Sequence, residues 1–98
     1  VTAVVEWARV PVLPDRRDAF ARDLAEAAAT VLPRARGFRS FRALGWCVEA
    51  PDEFAFVIEW DTLADHTEGF RGGPLFAEWR ALIGPHFAAP PTVVHYGA

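Results

Sequence analysis

The pattern of apolar and polar positions divides the chain into seven elements. Thr2 to Val12 is β-branched and apolar and predicts a strand, with Pro11 marking its end or an edge position. Leu13, Phe20, Leu24, Ala27, Ala28 and Val31 then recur at helical spacing. Asp15 and Asp18 fall in the first turn of that helix, Pro14 suits its start, and Pro33 ends it. Arg34–Gly37 predicts a turn whose arginines form a solvated corner.

Phe38 to Glu49 predicts a second strand, Ala50–Glu53 a hairpin loop, and Phe54 to Trp60 a third strand. In the third strand Phe54, Phe56, Ile58 and Trp60 share one face, while Ala55, Val57 and Glu59 share the other. Neither face is wholly polar, so both need cover. Thr62, with Asp65 three positions on, predicts the capped start of a short helix. Arg71-Gly72-Gly73 breaks it, and the expected reading is a joint using glycine for positive φ rather than an anion nest. Pro74 opens a further helix with an apolar stripe of Leu75, Phe76, Trp79, Leu82 and Ile83. Gly84–Pro91 is a rigid loop and Thr92 to Tyr96 a last strand.

The order β-α-β-β-α-α-β, with the two late helices in one crossover, predicts a single α+β domain over residues 1–98. Its plan is the ferredoxin-like split βαβ, a four-stranded antiparallel sheet with helices on one face. The helices cover one side only. The second apolar side predicts a homodimer built sheet against sheet.

Composition sharpens this picture. Hydrophobic residues make up 52% of 98 residues, with eight Phe and four Trp, more bulk than a small two-layer domain hides easily. The surplus points to an internal pocket or an oligomer interface. A formal net charge of −3 argues against nucleic acid. All ten basic residues are Arg, which excludes a Schiff-base or phosphate-loop lysine. Asn, Gln and Met are absent, so substrate contacts fall to Arg, Trp, Tyr, His, hydroxyls and backbone N–H. Cys47 is alone, no run is long enough to span a membrane, and no signal-peptide pattern opens the chain, so a cytoplasmic setting is expected.

The candidate chemistry is sparse. His66, His86 and His95 lack metal-ligand spacing and no glycine fingerprint follows a strand, so no metal or cofactor is expected. Ser40 and Cys47 sit mid-strand without the surroundings of a nucleophile. Phe56, Ile58, Trp60, Phe70, Phe76 and Trp79 either pack solid between sheet and helices or frame a flat aromatic ligand. His66 and His95 are the groups suited to proton transfer with a phenol, if they reach that space.

The stretches "EW" (Glu59-Trp60), "DTLADHTEGFR" (Asp61–Arg71), "GPLFAEWRAL" (Gly73–Leu82) and "PPTVVHY" (Pro90–Tyr96) resemble the antibiotic biosynthesis monooxygenase family. The resemblance covers nearly the whole chain in element order, and its specific part is the second half. It implies a dimeric α+β barrel with a pocket between each subunit's sheet and helices. It also implies oxidation of a small aromatic or polyketide-like compound by O2 without cofactor. In the actinorhodin-pathway type the strand-end Trp matches Trp60, the pocket Tyr falls on His66, and an Asn falls on Phe56. Haem-degrading relatives need a His where this chain has Trp79 and a Trp where it has Gly69. On this reading Trp60 and His66 are catalytic, and Phe56, Ile58, Phe70, Phe76, Trp79 and His95 bind substrate. The alternatives are a non-catalytic barrel that binds such a compound, and a cyclase or isomerase.

Overall fold

Phe54, Phe56, Ile58 and Trp60 are all buried while the residues between them are half-buried, and this alternation defines the inner face of the sheet. The computed structural model describes residues 3–97. Its strands are β1 (Val4–Pro11), β2 (Phe38–Trp46), β3 (Glu53–Trp60) and β4 (Thr92–Gly97); its helices are α1 (Arg17–Thr30) and α2 (Pro74–Ile83). The strands form one antiparallel sheet in the order β2-β3-β1-β4, the ferredoxin-like arrangement the element order predicts.

Register carries the inner face across the sheet. Glu6, Ala8 and Val10 of β1 lie opposite Ile58, Phe56 and Phe54, and Val93 and His95 of β4 lie opposite Ala8 and Glu6. Phe20, Leu24 and Ala27 of α1 and Trp79 and Ile83 of α2 cover this face and close the core. Phe20 meets Phe54 edge-on at 5.4 Å, an arrangement that suits the ring quadrupoles. No helix among the described residues is long and apolar enough to cross a membrane.

Several boundaries differ from expectation for local reasons. Residue Thr2 of the expected first strand lies outside the described residues. Val12 leaves the β1 ladder to bridge Phe87. Pro14–Arg16 forms a turn of 3-10 helix before α1 begins. β2 ends at Trp46 rather than Glu49, and within it the register slips between Ala43 and Gly45, where Gly45 takes φ of 117°. Arg34 is solvent-exposed, as expected, and in addition donates to Glu78 at 2.7 and 3.2 Å and to the Thr30 carbonyl at 2.9 Å, tying α1 to α2.

The short helix after β3 departs most. The Thr62 hydroxyl does accept the Asp65 N–H, at 3.1 Å, but Asp65–Phe70 is wound as a π-helix. Neither Gly72 nor Gly73 has positive φ, so the expected reason for these glycines does not hold. A side chain at Gly72 would instead strike the Glu68 carbonyl, and one at Gly73 would come within 2.6 Å of the Gly69 carbonyl. The widened turn brings backbone close enough that only glycine fits.

Candidate functional site

The π-helical winding sends both His66 and Phe70 inward over the sheet. Below them, between α2 and the inner face of β1, β3 and β4, lies a cavity of about 220 Å³. Phe56, Ile58, Phe70, Phe76 and Trp79 line it together with His66, so these candidates are gathered on one wall system. Phe70 meets Phe76 at 5.7 Å and Trp79 at 5.9 Å, and Trp79 meets Phe56 at 6.0 Å, all edge-on. The aromatics therefore pack against one another and still leave space beside them.

Trp60 and His95 stand one layer behind this wall. Trp60 is fully buried and does not line the cavity, which corrects its expected place as a flat surface for ligand. Its indole lies against the His66 imidazole at 5.2 Å and 16° between planes. Its Nε1–H donates to Glu6 Oε1 at 3.0 Å. His95 also lies outside the lining, and its Nε2 is 2.7 Å from His66 Nδ1.

Glu6 is the functional candidate that sequence reasoning missed. It is buried on the inner face of β1, lines the cavity, and has Oε1 3.3 Å from His66 Nε2. The available signal was alternation in VVEWARV: Val4, Glu6, Ala8 and Val10 share a side, leaving a single carboxyl among apolar neighbours. Arg71 and Arg80 also line the cavity, and neither has an ion-pair partner among the described residues. The Arg80 guanidinium sits 5.8 Å from the rings of both Phe76 and Phe87.

Electrostatics follow from this enclosure. Burial pushes the Glu6 carboxyl up to about 7, with the Trp60 hydrogen bond and the Arg71 charge pulling the other way. Burial, then the charges of Arg71 and His95, lower His66 to about 3. A neighbouring carboxylate would ordinarily raise a histidine, but here desolvation outweighs it. His95 is lowered by burial and by Arg71. The opposed shifts disfavour an ion pair between Glu6 and His66.

The arrangement is ill suited to a metal. Glu6 approaches Nε2 of His66 and His95 approaches Nδ1, on opposite sides of one ring, so no single ion reaches all three. Among the described residues no group of three His, Cys, Asp or Glu is disposed to hold one.

Comparison with known proteins agrees with the fold and with most of the chain. A crystal structure from Bordetella bronchiseptica, itself named for antibiotic biosynthesis monooxygenases, is 34% identical. It superposes with a TM-score of 0.91, covering 98% of this chain and 96% of its own. The uncharacterised Bacillus subtilis protein YczJ is 36% identical over 74 residues, covering 76% of this chain and 77% of its own. Rv0793 of Mycobacterium tuberculosis, at 22% identity, shares the fold with a TM-score of 0.76 over 99% of this chain and 95% of its own. The model of the family described as antibiotic biosynthesis monooxygenase matches residues 3–82, and the chain belongs to that family.

Proposed function

We propose that this protein is a cofactor-independent monooxygenase that oxidises a small aromatic or polyketide-like phenol in the cavity, with Glu6 as general base. The observation that carries the reading is one carboxyl, raised to about 7, on the wall of an aromatic cavity in a chain of this family. A base works best when its pKa lies near the working pH. His66, lowered to about 3, is a weak base, and its role is to hold and couple the Glu6 carboxyl.

In the proposed reaction Glu6 takes the hydroxyl proton, and the phenolate supplies the electrons that reduce O2. A C–O bond forms at a ring carbon, and Glu6 returns its proton to the outer oxygen, giving a hydroperoxide. That carbon then loses its proton as the O–O bond breaks and water leaves, so one phenol and one O2 give one quinone and one water. Phe56, Ile58, Phe70, Phe76 and Trp79 hold the ring, and the unpaired Arg71 and Arg80 favour the anionic oxygen. Trp60 acts through Glu6, and His95 acts through His66. At about 220 Å³ the cavity falls below the roughly 300–1,000 Å³ of drug-sized sites, which favours a compact ring system over an extended polycycle. The same reading has two copies packing sheet to sheet through the outer face.

An oxygen electrode with naphthols and naphthalenediols as probes, in the presence of a metal chelator, tests this. Oxygen uptake matched to quinone formation, and lost in Glu6→Gln, supports it. Turnover without oxygen uptake would favour a cyclase or isomerase, and binding without turnover a carrier.

A further inference from the structure

Arg80 stands where two hollows of the molecule meet. With Phe87 and Pro91 it lines both the aromatic cavity and a second groove of about 350 Å³, between the end of α2 and the loop before β4. Gly84, Ala88, Ala89 and Pro90 complete the groove, so among the described residues Arg80 is its only side chain able to hydrogen-bond. Phe76, Arg80 and Ile83 recur on one face of α2, which brings the guanidinium to the cavity. It is flanked by the Phe76 and Phe87 rings at 5.8 Å each, and a Cβ at Gly84 would lie 3.4 Å from its Nε. Packing thus sets its position, yet no group among the described residues accepts its N–H donors.

The two arginines of the cavity mark different ends. Arg71 acts on Glu6, His66 and His95, and Arg80 is not among the charges that shift any of them. Glu6 shares a row of the sheet with Ile58 and His95, and the next row holds Ala8, Phe56 and Val93. Two residues of strand separate these rows by about 7 Å. Pro91, which borders both hollows with Arg80, lies beyond Val93.

We propose that Arg80 and this groove form a carboxylate subsite, so that the preferred substrate is a fused-ring phenol with a short acidic side chain at the end remote from its hydroxyl. The proposal rests on the reading of the cavity as a phenol site. The hydroxyl meets Glu6, the ring lies among Phe56, Phe70 and Trp79, and the acid leaves the cavity past Phe87 to reach Arg80.

The chemistry of the groove selects this group. A guanidinium offers paired N–H donors that match the two oxygens of a carboxylate. Contact with the phenyl rings uses its faces and leaves those edges free. One guanidinium balances a monoanion, whereas a phosphate dianion would keep uncompensated charge where no second donor side chain stands. Arg80 is solvent-exposed, so an acid held there stays partly hydrated. Deeper among the aromatic rings the same acid would lose its water without a partner.

Anaerobic calorimetry with 6-hydroxynaphthalene-2-acetate and its uncharged amide reads the subsite without turnover. At pH 6 the acid is ionised, the phenol is not, and Glu6, raised to about 7, is mostly neutral. The acid should bind roughly tenfold or more tightly than the amide, and the advantage should shrink as salt is added. Arg80→Gln should bring the two affinities together, whereas Arg71→Gln should keep them apart. Equal affinities in the wild-type protein overturn the subsite, as does an acid preference that survives Arg80→Gln or disappears in Arg71→Gln. The oxygen electrode separates this from the oxidase reading. An Arg80-dependent acid preference in a protein that consumes no oxygen with either probe supports the subsite and overturns the oxidase, and oxygen uptake with equal binding of the two probes does the reverse.

Discussion

The indole of Trp60 and the imidazole of His66 lie nearly parallel, 16° apart at 5.2 Å, and both approach the same oxygen of Glu6. Trp60 therefore touches the site through a hydrogen bond and a stacked ring, from outside the cavity lining. Trp60→Phe keeps much of the ring and deletes the N–H that steadies the Glu6 carboxylate. The Glu6 pKa should rise further above 7, and the lower limb of the pH–rate profile should move the same way. Carbon-13 NMR of the carboxyl checks this, and an unmoved titration would refute it. Trp60→Ala also empties a fully buried ring site and should cost about 3–5 kcal/mol in denaturant unfolding.

The opposed shifts of Glu6 and His66 give stability an unusual pH dependence. Glu6 is raised from 4.5 to about 7, so its contribution is complete below 4.5 and is lost as pH rises toward 7. His66 is lowered from 6.5 to about 3, so its contribution is complete above 6.5 and is lost as pH falls toward 3. Between 4.5 and 6.5 the two slopes offset each other, although the lowered His95 adds to the histidine side. Glu6→Gln should uncover the histidine slope, with stability climbing toward 6.5. His66→Phe should uncover the Glu6 slope, falling by about 3 kcal/mol between 4.5 and 7. Urea titrations at stepped pH measure both, and identical profiles for the two variants would contradict the assignment.

Much of the fold was legible because its signals are local. Phe54, Phe56, Ile58 and Trp60 declare a face by alternation, and Pro14, Pro33 and Pro74 mark helix boundaries. The site was legible only in part, because its chemistry depends on register and on an uncommon helical winding. No spacing rule distinguishes the π-turn at Asp65–Phe70 from an α-helical one, yet that turn aims His66 and Phe70 at the sheet. Glu6 sits 60 positions from His66 in sequence and meets it only once β1 is placed beside β3 and β4. The direction of the His66 shift depends on how completely it is enclosed, which the acidic neighbours Asp65 and Glu68 do not reveal.

Glu6→Gln preserves the shape of the side chain and the acceptor for Trp60 while removing the base. Turnover should fall by roughly 10²-fold or more with phenol affinity little changed, and the limb near pH 7 should disappear from the profile. His66→Ala should leave the fold intact and also lower turnover. Because His66 acts through Glu6, its deletion should move the pH profile as well as its height. A Glu6→Gln protein as active as wild type would leave the cavity without its proposed base.

The outer face of the sheet carries the last prediction. Val5, Trp7, Val57, Val94 and Tyr96 lie on it by register, with Tyr96 54% and Val94 40% exposed. Trp7 and Tyr96 pair at 6.2 Å, and the buried Trp7 Nε1–H has no acceptor among the described residues. The helices cover only the opposite face, so water or a second sheet must meet these side chains. A second copy would bury the apolar surface and could offer the indole an acceptor. The protein should therefore sediment as a dimer at micromolar concentration. Val94→Arg and Tyr96→Asp place charge at the centre and rim of that contact, where an unpaired buried charge is strongly unfavourable. Each should shift the equilibrium toward monomer without altering the inner-face core, and near-ultraviolet circular dichroism separates dissociation from unfolding. A wild-type chain that stays monomeric and fully folded at that concentration would remove the sheet-to-sheet dimer.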